Sequence, residues 1–176
     1  DYTLDTSFNG FAGNSLIAPD DAHLLYGGSA TSKYTLTVAD KMTRLVIERA
    51  ATAAKMIKSI NPDATNMVPL TVEGAERYVM ILSPYQVHDL RTDTGPGNWL
   101  DVQKALAGAE GAKNRICAGG LGLLANIVLH EHTNVVRFHD YGAGSNIHAA
   151  RALMLARQSA VMAYGTVNKQ RFIWKE

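Results

Sequence analysis

The sequence predicts an α+β domain, a small central mixed sheet flanked by helices, with α/β as the neighbouring class. Three observations carry the expectation. Met42, Leu45, Val46, Ala53, Met56, Ile57 and Ile60 recur at three- and four-residue steps, as an amphipathic helix requires. Tyr78-Val79-Met80-Ile81-Leu82 is an unbroken apolar run, too short for a buried helix and suited to a strand covered on both faces. Ile127-Val128-Leu129 and Val135-Val136-Arg137-Phe138 are two further strand-like words separated by a polar stretch.

In chain order, residues 1–36 are rich in Gly, Asn, Asp, Ser and Thr and read as an irregular lead-in; residues 37–176 then form one domain. Thr37-Val38-Ala39-Asp40 places a hydroxyl three residues before a carboxylate, the spacing of a reciprocal helix cap, so the first long helix is expected from there. Lys41, Arg44, Glu48, Thr52 and Lys55 form its wet stripe, and Asn61-Pro62 ends it. After the 78–82 strand, Ser83-Pro84-Tyr85-Gln86 combines a capping serine, a first-turn proline and a reciprocal glutamine. A helix through Val87, Leu90 and Arg91 should therefore start within about two residues of the strand's end. Thr92 to Asn98 is a loop by composition. Asn98 can cap a short helix, Trp99 to Leu106, closed by Gly108. Toward the other end, a strand is expected near Ala152 to Ala156 and a short helix near Gln158 to Tyr164. The alternating Arg171-Phe172-Ile173-Trp174-Lys175-Glu176 reads as a strand cut short, and Asp1 to Asp5 shows no signal pattern, so the chain looks like a piece of something longer.

Charge and composition exclude several classes. Seventeen basic against sixteen acidic side chains give net +1, which rules out a polybasic nucleic-acid arm or an acidic tail as the main theme. One cysteine, Cys117, excludes a disulfide scaffold and a four-cysteine zinc site, and points to a reducing compartment. No stretch approaches the ~20 apolar residues of a membrane helix, since the Leu121–Leu129 run is broken by Gly122 and Asn126 and ends in His130. The chain reads as soluble.

Chemistry-bearing residues are few. His130-Glu131-His132, followed by His139-Asp140 and His148, is the sharpest cluster: in an extended chain the first two imidazoles share a face and can share a zinc or iron ion. No recognisable third-ligand motif accompanies them, and the bland reading is a strand emerging into water before the turn formers Thr133-Asn134. Cys117, between Ile116 and Ala118, reads as a small buried hydrophobe. Gly119-Gly120-Leu121-Gly122 and Tyr141-Gly142-Ala143-Gly144-Ser145 read as turns, because neither joins a strand to a helix as a phosphate loop does and no lysine closes a Walker-type loop.

The order of words says more than any one motif. A long helix followed by Arg77-Tyr78-Val79-Met80-Ile81-Leu82-Ser83-Pro84, entering a helix that ends in Asp89-Leu90-Arg91, resembles the axial domain of tailed-phage major capsid proteins. Trp99-Leu100-Asp101-Val102-Gln103-Lys104, the Gly120 to Glu131 segment, the Ala150 to Ala160 segment and Phe172-Ile173-Trp174-Lys175-Glu176 are similar to the podovirus-type capsid family also found in prophages. Ala156 departs from the glycine common in that family, a change that touches packing alone.

The resemblance implies a Hong Kong-97-type fold, with this chain as the axial domain and with the spine-bearing peripheral domain, arm and gripping loop outside it. It implies a structural virion protein without an active site or cofactor, whose full-length form builds capsomers and an icosahedral shell around double-stranded DNA. Contact with the packaged DNA would be non-specific, no membrane would be involved, and assembly would take place in the bacterial host cytoplasm. The isolated chain would be monomeric, because the linking parts are absent. The Thr94, Gly95, Pro96, Gly97, Asn98 and Trp99 loop is the candidate assembly surface. The competing expectation is a metal-binding or metal-dependent hydrolytic domain using His130 and His132 with His139 or His148.

Overall fold

The computed structural model describes residues 19–72, 74–94, 96–110 and 121–160. Three α-helices and seven strands follow a short 3-10 turn at Asp21–His23: α1 (Arg44–Ile60), β1 (Leu70–Val72), β2 (Ala75–Leu82), α2 (Pro84–Thr92), α3 (Trp99–Glu110), β3 (Leu123–Leu124), β4 (Ile127–Glu131), β5 (Arg137–Tyr141), β6 (Ile147–Ala150) and β7 (Leu153–Leu155). Strand β2 organises the sheet. It pairs in parallel with β4, from Tyr78↔Ile127 to Leu82↔Glu131, and antiparallel with β1 and β7. Strand β3 extends the far side of β4, while β5 and β6 form a separate two-stranded sheet. The expected mixed sheet in an α+β chain is present.

Side-chain alternation along β2 explains where the core sits. Tyr78, Met80 and Leu82 are buried together with Ile127 and Leu129, their lateral partners on β4. Ile47, Ala51 and Ala54 of α1, Val87 and Leu90 of α2, and Trp99 of α3 join the same cluster. All three helices thus contribute to the core over one sheet face, where helices on both faces were expected. The opposite face carries Val79, Ile81 and Leu155, half-buried, and Leu153, 44% exposed. Helix cover of β2 is therefore one-sided, although Val128, the lateral partner of Val79 on the opposite face, is also buried.

The β2–α2 junction forms as the sequence dictates. The Ser83 hydroxyl accepts from the Gln86 N–H at 3.3 Å and the Gln86 side-chain oxygen accepts from the Ser83 N–H at 3.0 Å, with Pro84 in the first turn. Gln86 also donates its amide to the carbonyl of Ala150 at 3.1 Å, tying the helix start to β6.

Helix α1 departs from expectation. Thr37 and Asp40 do pair, the hydroxyl and N–H of Thr37 both donating to the Asp40 carboxylate at 2.8 Å, but they close a turn with the Asp40 N–H on the Thr37 carbonyl. These bonds hold the Asp40 carboxyl below its ordinary pKa. The helix starts only at Arg44, after Thr43, whose side chain makes no cap bond. The same local bonds satisfy either a turn or a cap, and here the turn takes them. The buried stripe is Val46, Ile47, Ala51, Ala54 and Ile57, leaving Leu45 63% and Met56 50% exposed although both were expected on the packed face.

Helix α3 is longer than expected, running through Gly108 to Glu110. A glycine inside a helix costs only about 1 kcal/mol against alanine, too little to stop an alanine-rich segment. Strand β5 begins two residues later than the Val135 to Phe138 reading. Strand β7 falls inside the 152–156 expectation. Strands β1, β3 and β6 were not anticipated. The turn joining β3 to β4 is built from Ala125 and Asn126, with φ of 49° and 65°. Alanine is not a residue that announces such a left-handed pair. Residues 157–159 form a turn where the 158–164 helix was expected to start, and residues 161–164, Cys117, Gly119, Gly120 and the 171–176 segment lie outside the described residues.

Candidate functional site

The 92–99 loop is tied down at both ends. Asn98 donates its side-chain amide to the Asp93 carboxylate, and the Asp101 carboxylate accepts from the Gly97 N–H at 3.2 Å. Asn98 thus spends its side chain across the loop instead of capping α3, and its carbonyl accepts the first helical N–H groups, from Asp101 at 3.1 Å and Val102 at 3.2 Å. Arg44, the first residue of α1, donates to the Gly97 carbonyl and pairs with Glu48 at 3.0 Å. Gly97 has φ of 74°, a conformation that suits glycine. Trp99 is 6% exposed and belongs to the core. It anchors the loop from beneath, and the side chains open to solvent are Thr94 and Pro96. Gly95 lies outside the described residues.

The histidines do not gather as their spacing suggests. His130 and Glu131 end β4 and His132 follows, its N–H donating to the Leu82 carbonyl at 2.9 Å and its Nδ1 accepting from the Asn134 N–H at 3.1 Å. All three are exposed, at the edge where the sheet reaches solvent. His139 and His148 instead meet each other across β5 and β6, ring centroids 4.6 Å apart. Among the described residues, no group of three or more His, Cys, Asp or Glu side chains is placed to hold a metal ion.

Around this pair the hairpin is fastened by cations. The Lys33 ammonium bonds the Asp140 carboxylate, which holds Asp140 below and Lys33 above their ordinary pKa values. Arg137 lies over the Tyr85 ring at 4.3 Å and Arg151 over the Phe138 ring at 4.6 Å. The 141–145 segment is the expected turn: Gly142 has φ of 81°, its N–H donates to the Lys33 carbonyl at 2.9 Å, and its carbonyl accepts from Ser145.

A cleft of about 390 Å³ lies between α1, β2 and the Asn126 turn, lined by Lys55, Asn66, Glu76 and Tyr78 among others. The Tyr78 hydroxyl is committed to the Met67 carbonyl at 2.9 Å, and burial pushes its pKa up. The cleft thus offers one lysine and one glutamate but no nucleophile held by a base. No helix among the described residues is long and apolar enough to cross a membrane.

The described residues form an α+β core whose loop and hairpin side chains hold segments together. The chain matches the phage capsid protein family over residues 3–176 and belongs to that family. It is similar to a solved structure of the capsid of Ralstonia phage GP4, with 55% identity and a TM-score of 0.77, over 99% of this chain and 48% of that one. The chain therefore spans about half the length of that capsid chain. No curated protein matches it.

Proposed function

We propose that this chain is the axial-type part, residues 37–176 with 1–36 as lead-in, of a major capsid subunit that tiles an icosahedral shell around double-stranded DNA. The observation that carries the reading is the 55% identity to a phage capsid across nearly the whole chain. The role is structural and non-enzymatic, and its places are the virion and, during assembly, the host cytoplasm. Net charge of +1 suits a shell wall that touches DNA non-specifically, since a strongly basic wall would hold DNA tightly and depend steeply on salt.

Within that reading the loop from Thr94 to Gly97 is an assembly edge. Gly97 is tethered to Asp101 and Arg44, and Asn98 beside it to Asp93, which lowers the ordering cost of a contact at this end of the loop. Many such modest contacts sum over a closed lattice.

The test is expression of the full-length protein carrying this sequence, examined by electron microscopy. Hollow particles of uniform diameter are expected; a protein that never assembles at any concentration or salt would sink the reading. Thr94→Lys with Pro96→Glu should reduce particle yield while leaving the melting temperature of the present chain unchanged. By itself the chain should sediment as a monomer at about 0.1 mM, a concentration that reveals contacts weaker than micromolar. Closed rings of five or six would show that axial contacts suffice for capsomers, and a stable twofold dimer would favour an independent domain.

A further inference from the structure

We propose that the hydrogen bond between His139 and His148 is a proton-operated latch on the β5–β6 hairpin, closed while one of the two rings is neutral and released when both are protonated. The Nδ1 atoms stand 2.6 Å apart, with the rings at 79° to one another, edge to face. A bond between two ring nitrogens needs one N–H and one lone pair, so the rings cannot both donate. A first added proton goes to the other nitrogen of the donor ring, which keeps the bond and strengthens it by charge. A second can enter only at the accepting Nδ1, where it removes the bond and sets two cations against each other.

The latch lies where the ladder is weakest. Strand pairing joins Arg137 to Ala150, Phe138 to Ala149 and Tyr141 to Ile147, and the register shifts between Phe138 and Tyr141, leaving His139 and His148 outside those pairs. The ring-to-ring bond bridges that gap. No residue of either strand is fully buried, and a two-stranded hairpin is marginal in water without added support, so a single cross-strand bond weighs in its pairing.

The charges around the pair make the second proton costly. Asp140, next along β5, is engaged by Lys33 from the segment before α1, and the same ammonium lies over the Tyr141 ring. Arg137 of β5 is stacked on Tyr85 of α2, and Arg151, just past β6, lies over Phe138. Three cations thus stand near the rings against one carboxylate that already has a partner. An opened hairpin can take up two protons where the closed one holds a single proton, so by linkage acid favours opening by about tenfold per pH unit once the first proton is on. Histidine side chains ordinarily change charge between about pH 5 and 8, well above the range in which Asp140, held below the usual carboxylate value by Lys33, takes up its own proton. The two acid transitions are therefore separable.

The experiment is nitrogen-15 NMR of the chain, titrated from about pH 8 to about pH 5. At the upper end a scalar coupling across the bond should link the two Nδ1 nuclei, and in acid it should vanish as the amide signals of β5 and β6 move to those of unpaired strands. Below uptake of the first proton the open fraction should rise by about tenfold per pH unit. His139→Gln and His148→Asn should each abolish that dependence, whereas Asp140→Asn and the double variant His130→Ala, His132→Ala should keep it. The coupling is read on the parent, so it decides the matter even where a variant hairpin fails to pair. Absence of the coupling at the upper end, a hairpin still paired once both rings are protonated, an undiminished transition in either single hairpin variant, or its loss in Asp140→Asn would overturn the proposal.

Discussion

The parallel pair β2–β4 and the antiparallel hairpin β5–β6 lie in one chain and are held by opposite means. In β2–β4, five consecutive residue pairs stay in register, and buried Tyr78, Met80, Leu82, Ile127 and Leu129 face the helices. A one-residue slip would move that set off the helix-covered face, so burial pins the register. In β5–β6 the register shifts between Phe138 and Tyr141, and the holding contacts are Arg137 on Tyr85, Arg151 on Phe138 and Lys33 on Asp140. Those contacts are directional but exposed, and each is individually weak. The first region should therefore govern whether the chain folds, and the second how the hairpin is presented.

The largest effect should come from the core. Leu129→Ala should cost about 2–5 kcal/mol, through lost burial and the cavity it leaves, with Met80→Ala in the same range. Ser83→Ala should cost on the order of 1 kcal/mol, since it removes one cap bond at the junction that carries the core into α2. Ser83 is itself 1% exposed, so urea melts showing Ser83→Ala above Leu129→Ala would mean that the polar junction, and not the apolar register, holds the sheet.

Arg137→Ala is expected to cost about 0.5–1 kcal/mol, the worth of an exposed cation–aromatic contact, and to raise proteolysis of the hairpin while leaving global melting almost unchanged. A global loss as large as that of Leu129→Ala would erase the distinction between the two regions. The smallest effect is that of Asp140→Asn, and it depends on pH. The depressed Asp140 pKa means its contribution is present above the unfolded carboxylate value, near 3.9, and disappears as pH falls through the folded value. The raised Lys33 pKa means the pair persists until pH rises past the ordinary lysine range. Melting of the parent and of Asp140→Asn should therefore differ by a constant small amount through neutral pH and converge in acid; a gap that widens on acidification would reverse the assignment.

Where local chemistry and tertiary packing agree, the sequence was readable. Ser83-Pro84-Gln86 was legible because its two cap bonds lie within four residues, and nothing distant competes for them. Thr37 and Asp40 carry the same kind of pairing but form a turn, and α1 begins at Arg44. Asn98 was expected to cap α3, yet its amide is taken by Asp93. The candidate loop was visible in composition, but the burial of Trp99 beneath it was not. For the histidines the close spacing of His130 and His132 drew attention, while His139 and His148, nine positions apart, are the two that touch.

From the sequence alone came the α+β class, the apolar strands 78–82 and 127–129, the capped start of α2, and the order of words that marks the capsid family. Each rests on periodicity or on bonds between near neighbours, which a linear string preserves. The tertiary structure alone decided which face of β2 is covered, which side of α1 packs with Leu45 and Met56 left outside, and which histidines meet. Those outcomes depend on what lies opposite each element. Partners separated by tens of residues are joined by strand pairing and helix docking, and periodicity carries no record of them.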